Sequence, residues 1–138
     1  MRLSRKSEYS CLALIHLSRQ AGAGLVKLDA IASAEGIPRE YLVQLMHTLK
    51  RAGYIQAARG ASGGYRLAKR PEQITLAEII RLMDGPLAPV DSVSRYFYSH
   101  TPIESCPGLV DVFRDIRDYI AAKLESTTFA DLAGGKAC

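Results

Sequence analysis

Residues 28–66 read LDAIASAEGIPREYLVQLMHTLKRAGYIQAARGASGGYR, and this stretch decides the fold. Apolar residues recur at three- and four-residue spacing across 28–36 and again across 37–53, which predicts two consecutive helices. A short turn that contains glycine, EGIP, separates them. The pattern then changes to two short runs, YIQAA and GYRLAK, on either side of a tip rich in glycine and serine. That change predicts a β-hairpin over 54–69.

Further helices are predicted on both sides of this stretch. Residues 4–20 are apolar at most helical positions, so we expect this helix to be buried on most sides. Residues 75–85 form another amphipathic helix pattern. A longer helix is predicted over 108–125, after an irregular connection at 86–107 that contains four prolines. The last residues, 133–138, are expected to be disordered.

Three helices followed by a basic hairpin form the order of elements of a winged helix-turn-helix. We therefore predict a mainly α fold with a small β wing, with the winged helix-turn-helix domain in residues 1–85. Residues 86–107 would form an irregular loop in a position suited to sensing a signal. Residues 108–132 would form a long dimerisation helix and a short terminal element.

Charge is distributed unevenly along the chain. Residues 1–70 carry 12 Lys and Arg against 4 Asp and Glu, whereas residues 71–138 carry 6 against 10. A basic half favours a polyanion such as DNA, because each neutralised phosphate releases condensed counterions. A solvated basic face with no partner explains the charge equally well.

Several function classes find no support in the sequence. There is no nucleophile–base constellation, phosphate-binding loop, or metal motif of the HExxH or paired-CxxC type, so we expect no enzyme activity. No apolar run approaches the roughly 18 residues that span a bilayer, and no membrane partner is expected. Three widely separated cysteines, Cys11, Cys106 and Cys138, favour a reducing, cytoplasmic setting over a disulfide framework.

The first turns of the predicted third helix carry candidate base-reading residues, because this part of a helix-turn-helix enters the major groove. Arg39 can donate to phosphate or guanine, Gln44 can pair with adenine, and Glu40 can accept from cytosine. Pro38 and Tyr41 lie beside them, and the Tyr41 hydroxyl can donate to phosphate. The alternative is that this turn is merely solvated.

The glycine-rich tip of the hairpin is a second candidate contact, because a tip without bulky side chains lets the backbone approach DNA closely. The candidate residues in the wing are Arg59, Gly60, Ser62, Gly63, Gly64, Tyr65 and Arg66. Candidate phosphate contacts at helix ends are Arg2, Arg5, Lys6, Lys50 and Arg51. A plain flexible hairpin remains the alternative for the tip taken by itself.

Four segments resemble the Rrf2 family of bacterial transcription regulators. They are MRLSRKSEYSCLAL (1–14), IPREYLVQLMHTLKRAGYI (37–55), RGASGGYRLAKRPEQITLAEIIRLMDG (59–85) and STTFADL (126–132). The resemblance covers essentially the whole chain, and RGxxGGYxL followed by ITLAEII is highly specific. It implies a homodimer that binds a palindromic operator, with the long C-terminal helix crossing to the partner. By position it implies DNA contacts from Arg39, Tyr41, Gln44, Arg59, Gly60 and the wing glycines.

The long helix carries an apolar stripe that needs a partner. Its members recur at three- and four-residue spacing: Leu109, Val112, Phe113, Ile116, Ile120 and Leu124. The expected partner is the same helix of a second chain. The alternative is that the stripe folds back on its own domain.

The loop before this helix contains YFYSHTPIESCP (96–107), in which Cys106 and His100 are candidate sensor residues. Iron–sulfur members that this chain resembles have three closely spaced cysteines here, with a histidine or a partner-chain acid as a further ligand. This loop has only Cys106, and Glu8 stands at the acidic position. One thiolate is a poor ligand set for a cluster. We therefore expect no cofactor and no metal, with an iron–sulfur cluster or cysteine-redox sensing through Cys106 as the alternative.

Two hypotheses of different class follow from these features. The first is a homodimeric, sequence-specific DNA-binding regulator whose effector is unknown. The second is a protein-interaction adaptor that uses the same scaffold and the acidic C-terminal half without DNA.

Overall fold

The computed structural model describes residues 1–135, and within them the chain forms six α-helices and one two-stranded antiparallel sheet. The elements are α1 Arg5–Arg19, α2 Leu28–Glu35, α3 Arg39–Arg51, β1 Ile55–Ala58, β2 Gly64–Leu67, α4 Leu76–Asp84, α5 Pro107–Glu125 and α6 Phe129–Gly134. Short 3-10 helices occupy Pro71–Gln73, Asp91–Val93 and Pro102–Ser105. The predicted class, mainly α with a small β wing, is confirmed. No helix within residues 1–135 is long and apolar enough to cross a membrane.

Local capping explains where several helices begin and end. Ser4 caps α1 by accepting a hydrogen bond from the Ser7 amide. Gly36 ends α2 with φ 67°, a left-handed conformation that glycine adopts without steric cost. Thr75 and Glu78 form a reciprocal capping box at the start of α4. These signals are local, which is why the helix positions follow from sequence.

Helix α1 lies at the centre of the main hydrophobic core. Leu14 on α1 is fully buried together with Leu42 and Leu49 of α3, Ile79 of α4 and Phe129 of α6. Helix α1 packs against α2, α3, α4 and α6. Burial of most of α1, as predicted, therefore orients the helix-turn-helix.

The hairpin is held to the helical domain by a residue outside its strands. Ile55 pairs with Leu67 and Ala58 with Gly64 in the β1–β2 register. Val26, in the segment before α2, then forms a bridge with Tyr65, exchanging two backbone hydrogen bonds of 2.8 Å. A single paired residue has no sequence pattern of its own, so this link was not predicted.

The chain returns to the N-terminal domain after α5. Phe129 is fully buried in the main core, and its amide donates to the Ile74 carbonyl over 3.0 Å. Helix α6 includes Ala133 and Gly134, so the prediction that disorder begins at residue 133 is wrong for these two. A capping box from Thr128 supports this helix, and residues 136–138 of the predicted tail lie outside the described residues.

The apolar stripe of α5 is divided between two faces. Phe113 packs against a cluster that contains Val93 and Val110, and Ile120 and Leu124 pack against Ala77, Ile80 and Leu87. The fold-back alternative therefore holds for this half of the stripe. The other half stays exposed in the single chain, comprising Leu109, Val112 and Ile116, and Tyr119 extends it.

Candidate nucleic-acid interface

A cleft of about 770 Å³ separates α3 from the wing. One wall is the exposed side of α3 and the other is the wing from Ala57 to Tyr65, and residues 27–29 at the start of α2 also line the cleft. Of the predicted contacts, Arg39, Gln44, Lys50, Arg59, Gly60, Gly63, Gly64 and Tyr65 line it. The structure therefore brings the two predicted contact regions together around one concave surface.

The exposed side of α3 is defined by what the helix buries. Leu42, Leu45 and Leu49 face the core, which leaves Glu40 and Gln44 exposed. Lys50 and Arg51 are exposed at the end of the same helix. The first turns of α3 are therefore free to enter a groove, as the helix-turn-helix motif requires.

Tyr41 links α3 to the first helix. Its ring meets that of Tyr9 edge-on, with ring centroids 5.5 Å apart, while 37% of the residue remains exposed. The Arg5 guanidinium lies 6.0 Å from the centre of the Tyr9 ring. Tyr41 therefore packs against α1 through its ring and stays accessible at the surface.

Arg39 is held by a partner that sequence reasoning did not identify. Its Nε donates to Oδ1 of Asp29, in the first turn of α2, over 2.6 Å. Both side chains are mostly exposed, at 62% for Arg39 and 74% for Asp29. Arg39 thus carries a fixed hydrogen bond at the mouth of the cleft.

The two glycines at the end of the wing tip are required by close backbone contacts, of Gly63 within the wing and of Gly64 with the segment before α2. A Cβ on Gly63 would lie 2.2 Å from the carbonyl oxygen of Ala58, and Gly63 is buried. Gly64 has φ 153°, and a Cβ there would lie 2.6 Å from the Val26 carbonyl oxygen. These positions thus shape the wing, whereas Gly60 and Ser62 are exposed at its tip.

The remaining wing residues differ in their contacts and exposure. Arg59 is exposed at the tip. Arg66 donates from Nε to Oε1 of Gln56 across the sheet over 3.0 Å, and Tyr65 is half-buried against the main core. The Lys27 ammonium donates to the Ala61 carbonyl, which ties the start of α2 to the wing tip.

The basic start of α1 is fixed by an acidic residue at the end of α4. The Ser4 amide donates to Oδ2 of Asp84 over 2.9 Å, and the Ser4 hydroxyl donates to the same carboxylate. Desolvation opposes ionisation of Asp84, but these bonds and the nearby Lys6 hold its pKa below the ordinary value of 3.8. Arg2, Arg5 and Lys6 are exposed around this anchor.

Several residues that line the cleft were not among the predicted contacts. They include Lys27, Asp29, Val43 and His47. Val43 and His47 follow Arg39 at four-residue intervals, so helical spacing from Arg39 could have found them. Lys27 and Asp29 lie at the start of α2, and only the packing of α2 on α3 brings them to the cleft.

The predicted sensor residues form no cluster-binding site within one chain. His100 bonds Glu104, which also accepts a 2.7 Å hydrogen bond from the Tyr98 hydroxyl. Glu8 pairs with Arg5 at 3.3 Å, and Cys106 is exposed immediately before α5. Among residues 1–135, no three His, Cys, Asp or Glu side chains are grouped so that they could hold a metal ion. The residues present do not fit an iron–sulfur cluster.

Cys11 differs from Cys106 in its surroundings. It packs against the main core in α1, and burial, with the nearby Asp84 charge, raises the pKa of its thiol to about 12. It therefore stays protonated at neutral pH and is a poor nucleophile. Cys11 thus acts as a small residue packed against the core.

The family model Rrf2, described as "Iron-dependent Transcriptional regulator", matches residues 3–135. The chain belongs to the Rrf2 family. It is 35% identical over 133 residues to the HTH-type transcriptional regulator CymR of Bacillus subtilis, covering 96% of this chain and 90% of that protein. The sequence-based resemblance is confirmed.

Solved structures of family members have the same fold. The structure of CymR from B. subtilis, titled the global cysteine regulator of that organism, superposes with a TM-score of 0.87 at 33% identity, covering 99% of both chains. IscR from T. potens superposes with a TM-score of 0.74 at 29% identity, covering 100% of this chain and 94% of that one. This Rrf2 protein is therefore a helix-turn-helix transcriptional regulator and not an enzyme.

Replacing Gly63 by alanine should destabilise the wing without touching the exposed surface of α3. The new Cβ would overlap backbone atoms of Ala58, which cannot move independently of β1. We expect the free energy of unfolding in urea to fall by about 1–3 kcal/mol. Ser62→Ala, at the exposed tip, is the control and should stay within about 0.5 kcal/mol of wild type. Equal stability of the two variants would refute the packing role of Gly63.

Proposed function

We propose that this regulator is a homodimer that binds a palindromic operator in the cytoplasm, with α3 in the major groove and the wing on the adjacent backbone or minor groove. The observation that carries the proposal is the cleft between the exposed first turns of α3 and the Arg59-bearing wing. The same domain exposes three basic regions, at the start of α1, the end of α3 and the wing tip. Arg5 lies beside the ring of Tyr9, which contacts Tyr41 of α3. Such a distribution suits a duplex backbone.

The proposed contacts divide into base readers and phosphate contacts. Arg39, Glu40 and Gln44 are the base readers, and the exposed methyl groups of Val43 would meet a thymine methyl. Proposed phosphate or minor-groove contacts are Arg2, Arg5, Lys6, Tyr41, Lys50, Arg51, Arg59, Gly60, Ser62 and Arg66. Pro38, Gly63, Gly64 and Tyr65 contribute by setting the shape of α3 and the wing.

The proposed dimer uses the half of the α5 stripe that the chain leaves exposed. Leu109, Val112 and Ile116 lie along one side of α5, and each is at least 41% exposed. The same helix of a second chain would cover this apolar face in a dimer. A two-fold dimer would present two copies of α3 to two half-sites, which explains a palindromic operator.

We further propose that DNA binding does not require an iron–sulfur cluster. A single exposed thiol at Cys106, with His100 and Glu104 bonded to each other, supports this proposal. The second candidate is a cysteine-redox signal, favoured by the exposure of Cys106 beside the dimer helix. A protein-interaction adaptor without DNA binding is the remaining alternative, and the first experiment below separates it.

Arg59→Ala should weaken operator binding about tenfold and reduce the slope of log affinity against log salt by about one. The cause is loss of one cation at the wing tip. Fluorescence polarisation with the wild-type operator at several salt concentrations measures both quantities. Arg114→Ala removes an equal charge from the exposed side of α5, away from the cleft, and should change neither. Wild-type protein that binds no duplex would favour the adaptor, and equal binding to all duplexes would contradict sequence-specific recognition.

Ile116→Asp should convert the dimer to monomer, because it places a charge in the proposed apolar interface. Sedimentation equilibrium at micromolar concentration measures this change. Ala122→Asp adds the same charge on another exposed side of α5 and should leave the dimer intact. A wild-type monomer, or an Ile116→Asp dimer as tight as wild type, contradicts the proposed interface.

Protein purified without oxygen should be colourless and contain far less than one iron atom per chain, because its thiols do not form a ligand set. Visible absorption and iron analysis after gel filtration measure this, and the same sample should bind the operator. Stoichiometric iron that disappears in Cys106→Ser would establish the cluster alternative.

A further inference from the structure

We infer that Asp29 is a positioning residue for base recognition, which holds the Arg39 guanidinium so that its terminal amino groups face a guanine. This inference rests on the proposed function of α3 and deepens it. Asp29 precedes α3 by ten residues, and neither the helix-turn-helix pattern nor the family description assigns it a role.

The geometry of the pair leaves the reading edge of Arg39 available. Asp29 accepts its 2.6 Å hydrogen bond from Nε, which is the donor nearest the side-chain stem. Nη1 and Nη2 lie at the outer end of the guanidinium, where two parallel donors match O6 and N7 of guanine. Arg39 is also the first residue of α3, which is the part of a recognition helix that reaches base edges.

Stability alone does not account for this pair. Asp29 is 74% exposed and Arg39 62% exposed, and exposed ion pairs contribute little to folding. The acid also places a negative charge on the wall of a cleft proposed to hold phosphates, which opposes DNA binding in general. An acid that restricts Arg39 to one orientation would weaken binding to nonspecific duplexes. It would retain binding to an operator that carries the correct base.

A simpler structural role for Asp29 makes a different prediction. Asp29 lies in the first turn of α2, where a carboxylate interacts favourably with the helix dipole. If this were its role, Asp29→Asn would lower stability slightly and leave base preference unchanged. The two roles therefore differ in base preference, which can be measured directly.

The experiment is selection of bound sequences from a random duplex library by the full-length protein, followed by affinity measurements on single-base operator variants. Wild-type protein should yield a two-fold symmetric motif. Arg39→Ala identifies the guanine position that depends on Arg39. Asp29→Asn should reduce discrimination at that same position about three- to tenfold, while its affinity for random duplex rises. Asp29→Glu, which keeps the acid, should restore part of the discrimination.

A double variant tests whether Asp29 acts through Arg39. In the Arg39→Ala background, Asp29→Asn should cause no further loss of discrimination, and thermal unfolding should confirm that each variant is folded. Unchanged base preference in Asp29→Asn, or an equal loss at every operator position, overturns the inference. Failure of wild-type protein to select any motif would instead overturn the proposed function.

Discussion

The packing of α3 against α1 is the interaction on which the rest of the molecule depends. Leu42 and Leu49 on α3 are fully buried against a core that includes Leu14 of α1. Burial of each such side chain stabilises the fold by roughly 1.5–3 kcal/mol. Because these residues recur on one side of α3, their burial determines which residues the helix exposes. The residues that α3 exposes between Arg39 and His47 are therefore those that the core does not bury.

The wing depends on a second constraint, which is steric. Val26 and Tyr65 exchange two backbone hydrogen bonds, and this pairing leaves no space for a side chain at Gly64. Gly63 meets a similar limit from the opposite strand at Ala58. The wing is therefore attached at its second strand to the segment before α2, and Lys27 adds a contact at the tip. These contacts fix the width of the cleft.

The region after α4 contains contacts that anchor it to the rest of the chain and apolar residues that stay exposed. Arg81 on α4 bonds Glu125 at the end of α5 and lies 4.9 Å from the ring centre of Tyr96, so the loop and both helices meet at one residue. Phe129 returns the chain to the main core. One side of α5 is thereby packed within its own chain, and the adjacent apolar side stays exposed. The exposed aromatic residues Tyr96, Phe97 and Tyr98 belong to this loop.

The sequence by itself determined the helices, the hairpin and the family, because capping residues, glycine terminators and apolar spacing act over a few neighbouring positions. It also predicted Arg39, Gln44 and Arg59 as contact residues, and all three line the cleft. Only the tertiary structure decided that Phe113, Ile120 and Leu124 pack within the chain. It also decided that close backbone contacts exclude a side chain at Gly63 and Gly64, and that Asp29 bonds Arg39. Each of these features depends on atoms that folding brings together from distant positions or separate elements. The spacing of residues along the sequence does not encode the distances between such atoms.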